Sequence, residues 1–122
     1  MATTREVGDG IEQQAANYLQ KRGMRLVARQ VRYKSGEIDL LMEDRDDTLV
    51  FVEVRYRRNI SFGDGADSVN WTKRHRLRRA AELYLAQNPL ASKRACRFDV
   101  ISACGRVDQP QWNWFRNAFT LN

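Results

Sequence analysis

The spacing of apolar and polar positions divides the chain into two helical and several extended stretches. Over residues 10–22, Ile11, Ala15, Tyr18 and Leu19 recur at helical spacing, and Gly23 follows where a C-terminal cap is wanted. This predicts an amphipathic helix with Glu12 near its start. Residues 24–33 mix β-branched and basic side chains and run into Lys34, Ser35 and Gly36, which predicts a strand and a turn. Residues 37–43 and 48–55 flank a polar segment, Asp44-Arg45-Asp46-Asp47, and read as a β-hairpin. The second of these strands is almost unbroken in apolar residues, the pattern of a central strand covered on both faces.

A Gly-containing loop over 61–65 leads into a second helix over 66–87, with Val69, Leu77, Ala80, Ala81, Tyr84 and Leu85 as its apolar stripe. Asn88 and Pro89 end that helix, residues 96–102 alternate as another strand, and 111–115 offer a short edge strand. The order helix, three strands, helix, strand predicts one α/β domain over 1–122, a mixed central β-sheet with helices against its faces.

Side chains two apart on a strand share a face, so Glu37 goes with Asp39, and Glu53 with Arg55, while Ile38, Leu40, Val52 and Val54 face the other layer. A three-residue loop, Arg45-Asp46-Asp47, sets the hairpin register so that Asp39 opposes Glu53 at about 5 Å between Cβ atoms, and Glu37 opposes Arg55. Two carboxylates meeting in an apolar sheet repel each other and lose hydration, so they need a cation, a shared proton or a basic partner. A divalent ion such as Mg²⁺ or Mn²⁺ meets that need through oxygen ligands. The plainer alternative is a cross-strand Glu37–Arg55 ion pair, with Asp39 and Glu53 held by arginines or water. Glu12 adds a third acid only if its helix packs over the hairpin; otherwise it is a solvated first-turn glutamate favoured by the helix dipole.

Charge changes the picture further. The chain has 122 residues, with 21 Lys and Arg against 15 Asp and Glu, a formal charge of +6, which disposes its surface toward polyanions. The excess is concentrated in Lys73-Arg-His-Arg-Leu-Arg-Arg79, and Arg57 and Arg58 extend it beyond the hairpin. Arg57, Arg58, Arg74, Arg78 and Arg79 are therefore candidates for phosphate contacts, which give sequence-independent, salt-sensitive affinity; a merely solvated helix face is the alternative. Trp71, Trp112, Trp114 and Phe115 suit stacking on unpaired bases, core packing or a homodimer seam.

Cys96 and Cys104, on one strand, stand about 26 Å apart and cannot form a disulfide. A single histidine, His75, with no Cys-x-x-Cys, argues against a structural zinc site and leaves oxygen ligands for any metal. No stretch approaches a membrane span, and the N-terminus lacks the apolar core of a signal peptide, so a cytoplasmic protein is the expectation.

The runs Gly36-Glu-Ile-Asp-Leu-Leu41, Val50-Phe-Val-Glu-Val-Arg55 and Arg97-Phe-Asp-Val100, with Glu12, Ala15, Val69, Lys73 and Asn117-Ala-Phe119, closely resemble the YraN family of small bacterial proteins. That family is in turn similar to the PD-(D/E)XK nucleases, the Holliday-junction resolvases above all. The resemblance implies a restriction-endonuclease-like core. It also assigns Glu12, Asp39 and Glu53 to acidic metal-binding positions and Arg55 to the position of the catalytic lysine. Arginine keeps the charge but is never deprotonated in proteins, so Arg55 can clamp phosphate and cannot act as a base. Lys73 is the candidate for a migrated lysine. The resemblance thus implies a divalent-metal-dependent endonuclease acting on DNA, branched DNA included. The alternatives are a nucleic-acid-binding module that has lost activity through Arg55, and a protein-interaction subunit.

Overall fold

A computed structural model describes residues 4–58 and 71–119. The expected loop over 61–65 and the segment 66–70, with Val69, lie outside these residues. The chain order is α1 (Thr4–Lys21), β1 (Arg25–Tyr33), β2 (Gly36–Glu43), β3 (Leu49–Arg57), α2 (Trp71–Gln87), a short 3₁₀ turn (Ala91–Lys93), β4 (Cys96–Cys104) and β5 (Gln111–Phe119). The strands form one sheet in the order β1-β2-β3-β4-β5, antiparallel except for the parallel pair β3–β4 that α2 bridges. This is the expected mixed sheet with a helix on each face, in agreement with a restriction-endonuclease-like core.

Two apolar layers hold it together. Leu77, Ala80 and Ala81 of α2 pack on Ile38, Leu41, Phe51, Phe98 and Phe119, while Ala15, Ala16 and Leu19 of α1 pack on Leu40, Met42, Val50, Val52 and Ile101. Phe51 faces one layer and its neighbours Val50 and Val52 the other, which is why β3 reads as a continuous apolar run. Fully burying each such Val, Leu, Ile or Phe contributes roughly 1.5–3 kcal/mol.

Several boundaries differ from the sequence expectation. Helix α1 starts at Thr4, so Glu12 lies in its third turn rather than its first, and the first-turn reading of Glu12 is wrong. The apolar spacing begins only at Ile11 because the preceding turns carry Gly8 and Gly10, with open space where a side chain would be. The edge strand β5 runs through Phe119, well beyond the short strand expected. Its extension depends on Asp99, fully buried, which accepts hydrogen bonds from Arg97 (3.0 and 3.2 Å), from the Trp114 indole (2.9 Å) and from the Asn117 backbone (2.9 Å). Asn117 has φ 51°, and the β4–β5 register shifts there, so Asp99 supplies the acceptor that the bulged backbone lacks. Cys96 and Cys104 are free, at opposite ends of β4, as expected.

Two features position the functional residues. The β2–β3 register pairs Leu40 with Val52 and Glu43 with Leu49, the phase that the three-residue loop predicts, and Asp47 at φ 68° completes that loop. The other is a slip in the alternation of faces. Ala28 and Val31 of β1 both pack on the α2 side, as do their partners Leu41 and Ile38, whereas Leu40 faces α1. The expectation that Ile38 and Leu40 share a face therefore fails. The slip falls at Gln30, whose φ of 51° turns the strand, and at Asp39 between Ile38 and Leu40.

Candidate carboxylate site

The β2–β3 ladder ends at Leu40–Val52, and beyond it the Asp39 carboxylate accepts the Val54 backbone N–H at 2.9 Å. A side chain thus replaces the ladder where the strands part, and a pocket of about 140 Å³ opens, lined by Glu37, Asp39, Glu53, Lys73 and Arg76. Sequence spacing brought Asp39 and Glu53 together, and the structure does the same: each carboxyl acts directly on the proton affinity of the other.

Glu12 joins them from α1. Carboxylate oxygens of Glu12, Glu37 and Asp39 lie within 4.8 Å of one another. The helix reaches the site because the β1 turn at Gln30 meets it: Gln30 donates to the Asp9 carboxylate (2.6 Å), and Arg29 donates to Gln13 (2.7 Å) and to the Asp9 carbonyl (3.2 Å). Of the expected metal set, Asp39 and Glu12 fall in this converging trio and Glu53 meets Asp39 from β3 outside it, while the third place is taken by Glu37, which the sequence reading pairs with Arg55. Glu37 instead pairs with Arg32, its cross-strand neighbour on β1, at 3.4 Å.

The electrostatics are those of acids crowded away from water. Burial, and then the charges of Glu53 and Glu37, push the Asp39 carboxyl up to about 8. Burial and then Asp39 push Glu12 up to about 7. Burial raises Glu53 as well, while its hydrogen bond with Asp39 and the cations of Lys73 and Arg55 pull the other way. Glu12 Oε1 is buried without a hydrogen bond, and its nearest cation, Arg29 Nη2, is 3.9 Å away. Converging hard oxygens, one of them unsatisfied, fit Mg²⁺ or Mn²⁺ better than a softer metal.

Opposite the acids stands α2, and a glycine sets its distance. A Cβ built on Gly36 would come 2.0 Å from the Arg76 carbonyl oxygen, so only glycine lets the helix lie this close to the start of β2. That contact brings Lys73 and Arg76 over the pocket. Lys73 was expected from sequence; Arg76 was not, although it sits one helical turn further on, at the i+3 spacing that shares a face.

The other basic candidates fall elsewhere. The guanidinium groups of Arg74 and Arg78 lie 5.3 and 5.5 Å from the Phe119 ring centroid, on the β5 side of α2, and Arg79 pairs with Glu82 at 3.5 Å. Arg57 ends β3, and Arg58 lines a separate cavity with Tyr56 and residues 105–108. Of the aromatics, Trp71 is 73% exposed and stacks on His75, Trp114 is tied to Asp99, and Phe115 packs on the α2-side core. Neither described helix is long and apolar enough to cross a membrane.

Comparison with known proteins agrees with this architecture. The model of the uncharacterised protein family UPF0102 matches residues 11–103. A UPF0102 protein of Xanthomonas oryzae pv. oryzae is 46% identical over 118 residues, covering 97% of this chain and 94% of the relative. One of Nitrosococcus oceani is 47% identical over 120 residues, covering 98% and 96%, and one of Yersinia enterocolitica is 47% identical over 119 residues, covering 97% of each. With 46–47% of the residues of these relatives reproduced over nearly the whole length, the chain belongs to the UPF0102 (YraN) family.

Proposed function

We propose that this protein is a divalent-metal-dependent phosphodiesterase that cleaves DNA, with branched or otherwise structured DNA as the expected substrate. The observation that carries the reading is one small pocket in which Glu37, Asp39 and Glu53 face Lys73 and Arg76, with Glu12 converging on Glu37 and Asp39 from α1. Glu12, Glu37, Asp39 and Glu53 would hold Mg²⁺ or Mn²⁺, which when bound supplies Lewis acidity toward phosphate and lowers the pKa of water.

The chain's own groups divide the remaining work. Lys73 and Arg76 draw the scissile phosphate toward the acids and offset its charge. Arg55, on the Glu53 strand and close enough to act on its charge, stabilises negative charge as it develops on phosphate and never accepts a proton. Lys73 is the group able to take the orienting role of the catalytic lysine whose position Arg55 occupies. The Val54 amide fixes one Asp39 oxygen, so the carboxylate is oriented before any ligand arrives.

The test is incubation of the pure protein with branched, single-stranded and duplex DNA, with and without Mg²⁺ or Mn²⁺. Metal-dependent cleavage that Asp39→Ala abolishes is the expected result. Salt-sensitive binding with no cleavage favours the second reading, a binding module, for which the specific observation is arginine at position 55. Arg55→Lys then decides: a gain of cleavage identifies the arginine as the lesion.

A further inference from the structure

Away from the carboxylates, α1 and β5 enclose a groove of about 320 Å³ lined by Gln14, Asn17, Tyr18, Lys21, Arg22 and Trp112. We infer that this groove binds an unpaired stretch of DNA, holding bases on its aromatic and guanidinium planes and phosphates on Lys21 and Arg22.

Its chemistry is specific to that kind of ligand. Tyr18 and Trp112 form a tilted pair with centroids 5.3 Å apart, and the Arg22 guanidinium is centred 3.5 Å from the Tyr18 ring while Nη1 donates to the Tyr18 carbonyl. With Arg22 covering the Tyr18 ring, the flat, exposed guanidinium and the half-buried Trp112 ring are the planes on which a base can stack, and every base has a π-face. The amides of Gln14 and Asn17 border this surface with donors and acceptors for base edges. The lining carries two cations and no carboxylate, in a chain of formal charge +6, so its sign complements a phosphate backbone. A duplex hides its base faces, and the groove has nothing to stack on it.

The groove also continues. The Gln14 amide donates to the Val107 carbonyl at 2.8 Å, and Val107 lines the next cavity together with Arg58 and Arg106. The same sheet face carries Trp114 two residues beyond Trp112, with the Arg116 guanidinium 4.1 Å from its ring centroid. Basic side chains therefore continue from Lys21 and Arg22 to Arg58 beside the 105–108 loop, where Arg106 is itself paired with Asp108 at 2.8 Å. The choice of DNA rests on the proposed phosphodiesterase; the preference for unpaired bases rests on the groove alone.

The experiment separates the two. Fluorescence anisotropy of a labelled twelve-residue oligothymidylate is measured with the full chain in EDTA, where metal-dependent cleavage is silent, beside a duplex of equal length and an oligouridylate. The single strand should bind at least about tenfold more tightly than the duplex, and Lys21→Glu should weaken it about tenfold, whereas the charge-matched Lys93→Glu on the 3₁₀ turn should change it less than about twofold. Trp112→Ala should cost a similar factor. Trp112 also packs on the core, so a circular-dichroism melt accompanies it, and the surface variant Lys21→Glu decides if Trp112→Ala unfolds. Equal binding of duplex, indifference to Lys21→Glu, or a wild-type dimer in sedimentation that Lys21→Glu dissociates would overturn the assignment. Tighter binding of oligouridylate would overturn the choice of DNA. Cleavage under the Mg²⁺ conditions stands or falls independently of all four.

Discussion

Replacing Gly36 with alanine tests the close approach on which the site depends. The added methyl would meet the Arg76 carbonyl oxygen at 2.0 Å and the Ala80 nitrogen at 3.3 Å. Both are backbone atoms of α2, so no rotamer change relieves the contact, and the helix must retreat by about 1.4 Å to reach the 3.4 Å of ordinary contact. Overpacking of this kind costs about 1–3 kcal/mol. The reduced freedom of alanine in the unfolded chain offsets about 0.4–1 kcal/mol. A net loss near 1–2 kcal/mol lowers the melting temperature of a chain this size by roughly 4–8 °C. The retreat also draws Lys73 and Arg76 away from the acids, and a displacement of about 1 Å can cost on the order of 100-fold in rate. Scanning calorimetry and a cleavage assay on Gly36→Ala read the two effects separately. A melting temperature within about 1 °C of wild type would show that α2 does not lie against β2 as described, and the geometric account of the pocket would fail with it.

In EDTA, the raised proton affinities of Glu12, Asp39 and Glu53 mean that the folded chain holds protons which the unfolded chain releases. Their contribution to stability is complete below about pH 4, and it is lost as pH rises through about 7 for Glu12 and about 8 for Asp39. The urea midpoint should therefore fall between pH 5.5 and 8.5, and Asp39→Asn should flatten the fall; a midpoint that climbs over this range would contradict the crowded acids. Asp99→Ala leaves the Trp114 indole and the Asn117 amide without their acceptor, while Arg97 keeps Asp44 at 2.8 Å, and should destabilise by about 1–3 kcal/mol for each orphaned donor in chemical denaturation. Arg76→Ala, at an exposed position, should change stability by less than about 0.5 kcal/mol yet reduce the salt dependence of DNA binding by about one unit of slope.

Legibility in the sequence followed the reach of the interactions. The hairpin register could be read because loop length fixes phase, and the Asp39–Glu53 meeting follows from phase alone. The central position of β3 was equally legible from its unbroken apolar run. Glu37 was misassigned because pairing rules see one neighbouring strand at a time, and its partner Arg32 lies on the other side of β2. The slip at Gln30 has no local signal: glutamine seldom adopts positive φ, and the contacts to α1 that hold it there are remote in sequence. Glu12 shows the same limit, since its role depends on a helix docked by Arg29 and Gln30. Arg76 was within reach, had the helical spacing from Lys73 been carried one turn further.

The hydrogen bond from Val54 to Asp39 has a use outside chemistry. In a regular sheet an amide is shielded from solvent exchange by the carbonyl of the adjoining strand, and its exchange rate reports on the strand. Here the shield is a carboxylate of the pocket itself, so the NMR resonance of this one amide should sense whatever the carboxylate binds. A titration followed at that single nucleus would reveal occupancy even in a variant that turns over nothing.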